Sequence, residues 1–177
     1  MDFLKKYAKW GLLLLVLVLA GFLLTRPTSL EAALDRQPEP FRVGEILDQE
    51  PLDTGRTLVL YRNADDPDLL QNAVVEKRGP FYRVIDCNGN LPAVPPHALE
   101  QGDLRSQMQI SWYDRGRAYV AMLVAFDEDV AAVTLEGQPL RRVPCEEYSF
   151  FLGSGSGDAQ TYQLFDAAGR ELGHYVE

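Results

Sequence analysis

Residues Met108 to Phe126 read MQISWY, then DRGR, then AYVAMLVAF. The flanking arms are rich in β-branched and aromatic residues, and the four residues between them are turn formers, so the stretch predicts a β-hairpin. Its second arm, Ala118 to Phe126, is apolar almost throughout, the pattern of a central strand buried on both faces.

Towards the C-terminus the same signals recur every 8–12 residues. Asp127-Glu128-Asp129 makes a turn, and Val130 to Glu136, Gly137-Gln138 and Pro139 to Cys145 predict a strand pair. Glu147 to Leu152 reads as a strand ending in a flexible tip, Gly153-Ser154-Gly155-Ser156-Gly157. Gln160 to Phe165, a turn at Asp166 to Gly169, and Glu171 to Val176 form a last hairpin. The fold expected is mainly β, an antiparallel sandwich, with a barrel as the alternative. Its half from Leu104 to Glu177 resembles a small immunoglobulin-like sandwich by strand count alone. The Cys…Trp…Cys spacing of true immunoglobulin domains is missing, so the resemblance carries no function.

Towards the N-terminus, Leu91 to Asp103 holds three prolines and reads as a long loop or a subdomain boundary near residues 91–103. Ala73 to Lys77, Arg78-Gly79-Pro80 and Phe81 to Cys87 predict a hairpin, with a helical turn from Leu69 to Ala73 as the alternative start. Asn88-Gly89-Asn90 is expected to end that strand. Thr57 to Tyr61 reads as a strand followed by a turn at Asn63 to Asp68. Pro38-Glu39-Pro40 reads as a stiff spacer, and Thr28 with Glu31 as a capping box opening a short helix over residues 29–36.

Before it lies Gly11 to Leu24, GLLLLVLVLAGFLL, without a charge or a proline. Its leucines, valines and phenylalanine together favour bilayer insertion by about 5 kcal/mol. Fourteen residues are short of the roughly 20 that span a bilayer, and Tyr7, Ala8 and Trp10 extend the run, with Lys9 snorkelling to the headgroups. Lys5, Lys6 and Lys9 precede the run and only Arg26 follows closely, which places the N-terminus in the cytoplasm. The organisation expected is a cytoplasmic tail over 1–9, a transmembrane signal anchor over 10–25, a short helix and spacer over 26–40, and an exported β domain over 41–177. A cleaved signal peptide is the rival. Val18-Leu19-Ala20, its best cleavage point, lies inside the apolar run, which argues against cutting there.

Residues 1–9 carry three lysines and one aspartate, which leaves 14 basic and 25 acidic residues in the rest of the chain, a net of −11. That balance excludes nucleic acid as an expected partner and disfavours direct adhesion to anionic lipid. Cys87 and Cys145 stand in the part expected outside the cytoplasm, where an even count invites a disulfide; two separate buried thiols are the alternative.

Constellations for chemistry are sparse. Asp86, Asn88 and Asn90 match the first half of a calcium loop, but Leu91 stands where glycine is needed and His97 where the bidentate glutamate belongs. An Asn-Gly hairpin turn is the plainer reading. Asp65-Asp66-x-Asp68 and Asp127-Glu128-Asp129 read as solvated turns. His97, His174 and the two cysteines lack ligand spacing, so no metal, cofactor or catalytic residue is expected. Glu146 and Glu147 alternate to opposite faces of a strand, which counts against a glycosidase pair. Trp112, Tyr113 and Tyr119 face across the predicted hairpin: buried, they are cross-strand core pairs; exposed, they are a partner contact. The function expected is that of a non-enzymatic binding module anchored in the cell envelope, with the membrane and another envelope protein as partners. The alternatives are an accessory subunit of a membrane complex and a wall-acting hydrolase.

Overall fold

A computed structural model describes residues 2–52, 55–92, 105–143 and 149–176, with side chains from Trp10 onward except those of residues 22 and 23. The chain is mainly β, and all its sheets are antiparallel. After helices α1 (Asp2–Leu24) and α2 (Leu30–Leu34) come strands β1 (Val43–Leu52), β2 (Arg56–Asn63), β3 (Leu69–Arg78) and β4 (Phe81–Pro92), which form the first sheet in sequence order. Strands β5 (Ser106–Tyr113), β6 (Ala118–Ala125), β7 (Ala132–Leu135), β8 (Gln138–Pro139), β9 (Arg141–Val143), β10 (Ser149–Ser156), β11 (Thr161–Phe165) and β12 (Glu171–Val176) follow. They make a second sheet ordered β5-β6-β10-β9 and a third ordered β12-β11-β7-β8.

Three hydrophobic clusters order the layers. On one face of the first sheet, Val59, Tyr61, Ala73 and Val75 pack on Leu30 and Leu34 of α2. On the other, Leu58, Leu60, Leu70 and Val74 meet Val120, Met122, Val124, Phe150 and Leu152 of the second sheet. The second sheet then turns Tyr119, Ala121, Leu123 and Phe151 onto Val133, Leu135, Tyr162 and Leu164 of the third. The result is a four-layer stack with the helix outermost and the second sheet in the middle. Strand β6 is the reason: its successive side chains point alternately to opposite faces, and both sets are apolar, so it needs cover on both sides. A two-layer immunoglobulin-like sandwich would leave one of those faces wet. The sandwich expected of the C-terminal half is present as the second sheet packed on the third, and the first sheet is added on the other face of β6.

The hairpins at residues 108–126, at 73–87 and at the C-terminus form as the sequence implies. Strand β3 starts at Leu69, so the helical-turn alternative is not taken. Four local readings are corrected. Ser29, not Thr28, caps α2, its Oγ accepting from the Ala32 N–H at 3.1 Å. The segment read as a spacer is built into the domain. Leu30, Ala33 and Leu34 are buried, and the Pro40 carbonyl accepts hydrogen bonds from Asn63 Nδ2 and Gln71 Nε2.

Asn88-Gly89-Asn90 does not end its strand or form a hairpin turn. Strand β4 runs on to Pro92, with register shifts opposite Leu70/Asn72 and Val74/Val75. Gly89 has φ +105, and a Cβ there would lie 2.8 Å from Met122 Cε and 3.1 Å from the Gln71 Cα, so only glycine lets the sheets approach this closely. Finally, Gly153 to Ser156 is not a flexible tip: it pairs with β6 from Ala121 to Ala118.

Helix α1 stands apart from the stack. Its described large apolar side chains are exposed all round, from 49% at Leu13 to 85% at Leu24. Among the described residues, no helix is long and apolar enough to cross a membrane.

Candidate functional site

Residues of β2, β3 and β4 share one cleft with residues at the β5–β6 turn. The cleft, of about 600 Å³, is lined by Arg56, Glu76, Arg78, Arg83, Ile85, Asp86, Trp112, Tyr113, Asp114 and Arg115. The strand registers build its floor. Arg56 pairs with Glu76 and Glu76 with Arg83, so the three form a cross-strand row on one face of the sheet. In β4 the register jumps from Asp86 opposite Val74 to Val84 opposite Val75, leaving Ile85 as the extra residue. This bulge sends two successive side chains, Ile85 and Asp86, into the same cleft.

The opposite wall comes from the β5–β6 turn. Asp114, Arg115 and Gly116 take φ of 51°, 59° and 76° in succession. A left-handed backbone costs a residue such as Arg115 roughly 1–2 kcal/mol, and such strain concentrates at sites of function. Tyr113 is buried, and the Arg56 guanidinium lies 5.9 Å from its ring centroid, so a cation–π contact joins the two walls. Arg56 also stands 3.8 Å from Asp114.

Two polar atoms in the cleft, Arg56 Nε and Asp86 Oδ2, are buried with no hydrogen-bond partner among the described residues. A buried unpaired polar atom costs on the order of 1–3 kcal/mol, which a ligand supplying the missing partner would recover. Burial pushes the Asp86 carboxyl above its ordinary value of 3.8, with a hydrogen bond from Asn88 opposing. The Tyr113 hydroxyl is also raised, by burial first; Arg56 pulls it down while Asp114 and Asp86 push it up, so these groups share one electrostatic neighbourhood. Glu76 is held by Arg78 at 2.7 Å.

The three aromatics singled out by sequence divide. Trp112 is exposed and lines the cleft; Tyr113 is buried and lines it; Tyr119 is buried beneath Trp112, edge to face at a centroid distance of 5.5 Å. Tyr119 is therefore support for Trp112 and not itself a contact surface. The arginines form no cluster along the chain, because Arg56, the Arg78–Arg83 hairpin and Arg115 stand on three separate segments of an acidic sequence. Only the strand registers gather them.

A second cleft of about 330 Å³ shares Arg78 and Arg83 with the first, and Arg26, Pro27, Phe81 and Tyr82 complete it. A third, of about 390 Å³, lies over Asn63, Gln71 and Asn90. Its polar groups satisfy one another: Asn63 Nδ2 donates to Gln71 Oε1 at 2.9 Å and Gln71 Nε2 to Asn90 Oδ1 at 3.4 Å. That network fixes the Pro38–Pro40 segment to the first sheet.

The remaining sequence candidates are scattered. Cys87 lies on the α2 face of the first sheet as a free thiol 3.5 Å from Gln37 Oε1, and burial raises its pKa to about 11. Cys145, His97, Glu146 and Glu147 lie outside the described residues, so the proposed Cys87–Cys145 pairing is not visible. His174 sits on exposed β12, 3.7 Å from Glu171. The Asp65–Asp68 and Asp127–Asp129 turns bind their own backbone, with Asp66 Oδ1 accepting from Asp68 and Asp127 Oδ1 from Asp129. Among the described residues, no three His, Cys, Asp or Glu side chains gather as a metal site. Compared with known proteins, the chain matches no family model, no curated protein and no solved structure.

Proposed function

We propose that this chain is a membrane-anchored binding module, with α1 seated in a bilayer and the β stack presenting its arginine- and tryptophan-lined cleft outside the cytoplasm. The observation that carries the reading is α1 itself. From Trp10 to Leu24 the helix carries no charge, its described large apolar side chains are exposed, and among the described residues no layer of the domain packs on them, so this stretch calls for an apolar medium. Lys5, Lys6 and Lys9, in the first turns of α1 ahead of its apolar run, favour a cytoplasmic N-terminus. The cleft supports binding over catalysis, since Glu76 is paired with Arg78 and Asp114 lies near Arg56.

The test is membrane retention of the full chain through a carbonate wash. Replacing Leu14 and Leu17 by lysine adds about 6 kcal/mol against roughly 4 kcal/mol of remaining apolar stabilisation, which reverses insertion. The reading predicts that wild type stays in the pellet and L14K/L17K leaves it. Release of wild type by the wash overturns it.

As an accessory subunit, the chain would use α1 to pack against partner helices, and exchanging α1 for an unrelated span would abolish complex assembly. As a wall-acting hydrolase, it would use Asp86 as the acid, its carboxyl being the one raised in the cleft. Loss of wall hydrolysis in Asp86→Asn with retained folding would favour that reading.

A further inference from the structure

We infer that the smaller cleft, lined by Arg26, Arg78 and Arg83, binds the phosphate of an anionic phospholipid headgroup in the membrane that holds α1; this rests on the anchoring proposed above. Its lining contains three arginines and no carboxylate, in a chain with a formal net charge of −9; Arg78 also pairs at 2.7 Å with Glu76 of the neighbouring cleft. Arginine forks match phosphate oxygens, and a cleft of about 330 Å³ accommodates a headgroup.

The cleft's position selects the source of the phosphate. Arg26 follows the last residue of α1, Leu24, by two positions, so it stays within about 7 Å of the helix end. The β3–β4 hairpin is pinned to that point: the Tyr82 N–H donates to the Pro27 carbonyl at 3.0 Å, and Arg26 lies 5.7 Å from the Phe81 ring centroid. Gly79 (φ +60) and Pro80 form the two-residue loop that brings Arg78 opposite Phe81. With α1 inserted, this hairpin lies at the headgroup layer, half-buried Phe81 beside the acyl boundary and the arginines above it. Arg83 is exposed and has no ion-pair partner among the described residues. The acidic total of the chain is no obstacle, because fields between exposed charges fade within about 8 Å at physiological salt and the local sign governs.

The experiment places the full chain in nanodiscs of pure phosphatidylcholine or of phosphatidylcholine with phosphatidylglycerol, and follows thermal unfolding of the β stack by circular dichroism. The inference predicts a midpoint roughly 4–8 °C higher in the anionic discs. That difference should vanish in R78Q/R83Q, persist in large part in R78K/R83K, and be unchanged in R170Q at the far β11–β12 turn. Because each variant is compared with itself in the two lipids, a general loss of stability cancels. An undiminished difference in R78Q/R83Q overturns the site. An equal rise on adding inorganic phosphate to phosphatidylcholine discs assigns the cleft to a soluble anion and overturns the lipid. A chain that enters discs but shows no lipid dependence overturns this inference alone; one that does not enter discs overturns the anchoring as well.

Discussion

Gly155→Ala tests whether the glycine–serine stretch is a flexible tip or a packed strand. An alanine Cβ at residue 155 would lie 2.5 Å from the Tyr119 Oη, 2.6 Å from Cζ and 3.0 Å from Cε1. The ring cannot simply withdraw, since Tyr119 is buried and packs edge to face against Trp112. Overpacking of this kind costs roughly 1–3 kcal/mol, while removing a glycine from a strand returns about 0.5–1 kcal/mol. The expected net is a loss of about 0.5–2 kcal/mol. The decisive arm is the double mutant. In a Tyr119→Ala background, itself costing about 3–5 kcal/mol, the same Gly155→Ala change should stabilise by about 0.5–1 kcal/mol. Urea unfolding of the full chain in detergent, followed by circular dichroism, supplies the four midpoints. A neutral or stabilising Gly155→Ala in the wild-type background would refute the packed-strand argument, because a mobile tip has no ring to meet.

Three further outcomes follow from groups outside the lipid-facing cleft. Asp86→Asn should stabilise the fold at pH 7. Burial raises the Asp86 pKa above its unfolded value, so the charged form is penalised as pH rises past that value, and the mutant's advantage should disappear in acid; pH-dependent unfolding that shows the opposite trend sinks the argument. Cys87, raised from 9.0 to about 11 chiefly by burial, should react with iodoacetamide roughly 100-fold more slowly at pH 8 in the folded chain than in urea. Mass spectrometry of the unreduced chain reads the Cys87–Cys145 alternative directly, since a disulfide blocks alkylation in both states. Arg141 meets both Asp48 and Glu50 of β1 from β9, and these carboxylates raise its pKa further. The pairs are partly exposed, so Arg141→Ala should cost about 1 kcal/mol or less, shrinking in high salt; a salt-independent loss would point to packing instead.

The sequence by itself marked the main hairpins and the apolar run that α1 carries. Side-chain alternation, turn residues and β-branched runs act locally, so the hairpins at 73–87, 108–126 and 160–176 were legible in the order of residues. So was the burial of β6 on both faces, because an apolar strand without a polar face admits no other place. Partnerships between distant strands are set by packing and register, which leave no local mark. The packing of the first sheet on β6, the docking of α2 and the use of Gly89 and Gly155 for close approach therefore belong to the tertiary structure alone. A glycine selected for missing atoms reads in sequence like one selected for freedom. The cleft is the clearest case. Trp112 and Tyr113 stood out as aromatics on a hairpin, but Arg56, Arg78, Arg83 and Arg115 read as scattered charges in an acidic chain. Three strand registers and one bulge bring them together, because charge is pooled by neighbours in space and not by neighbours along the chain.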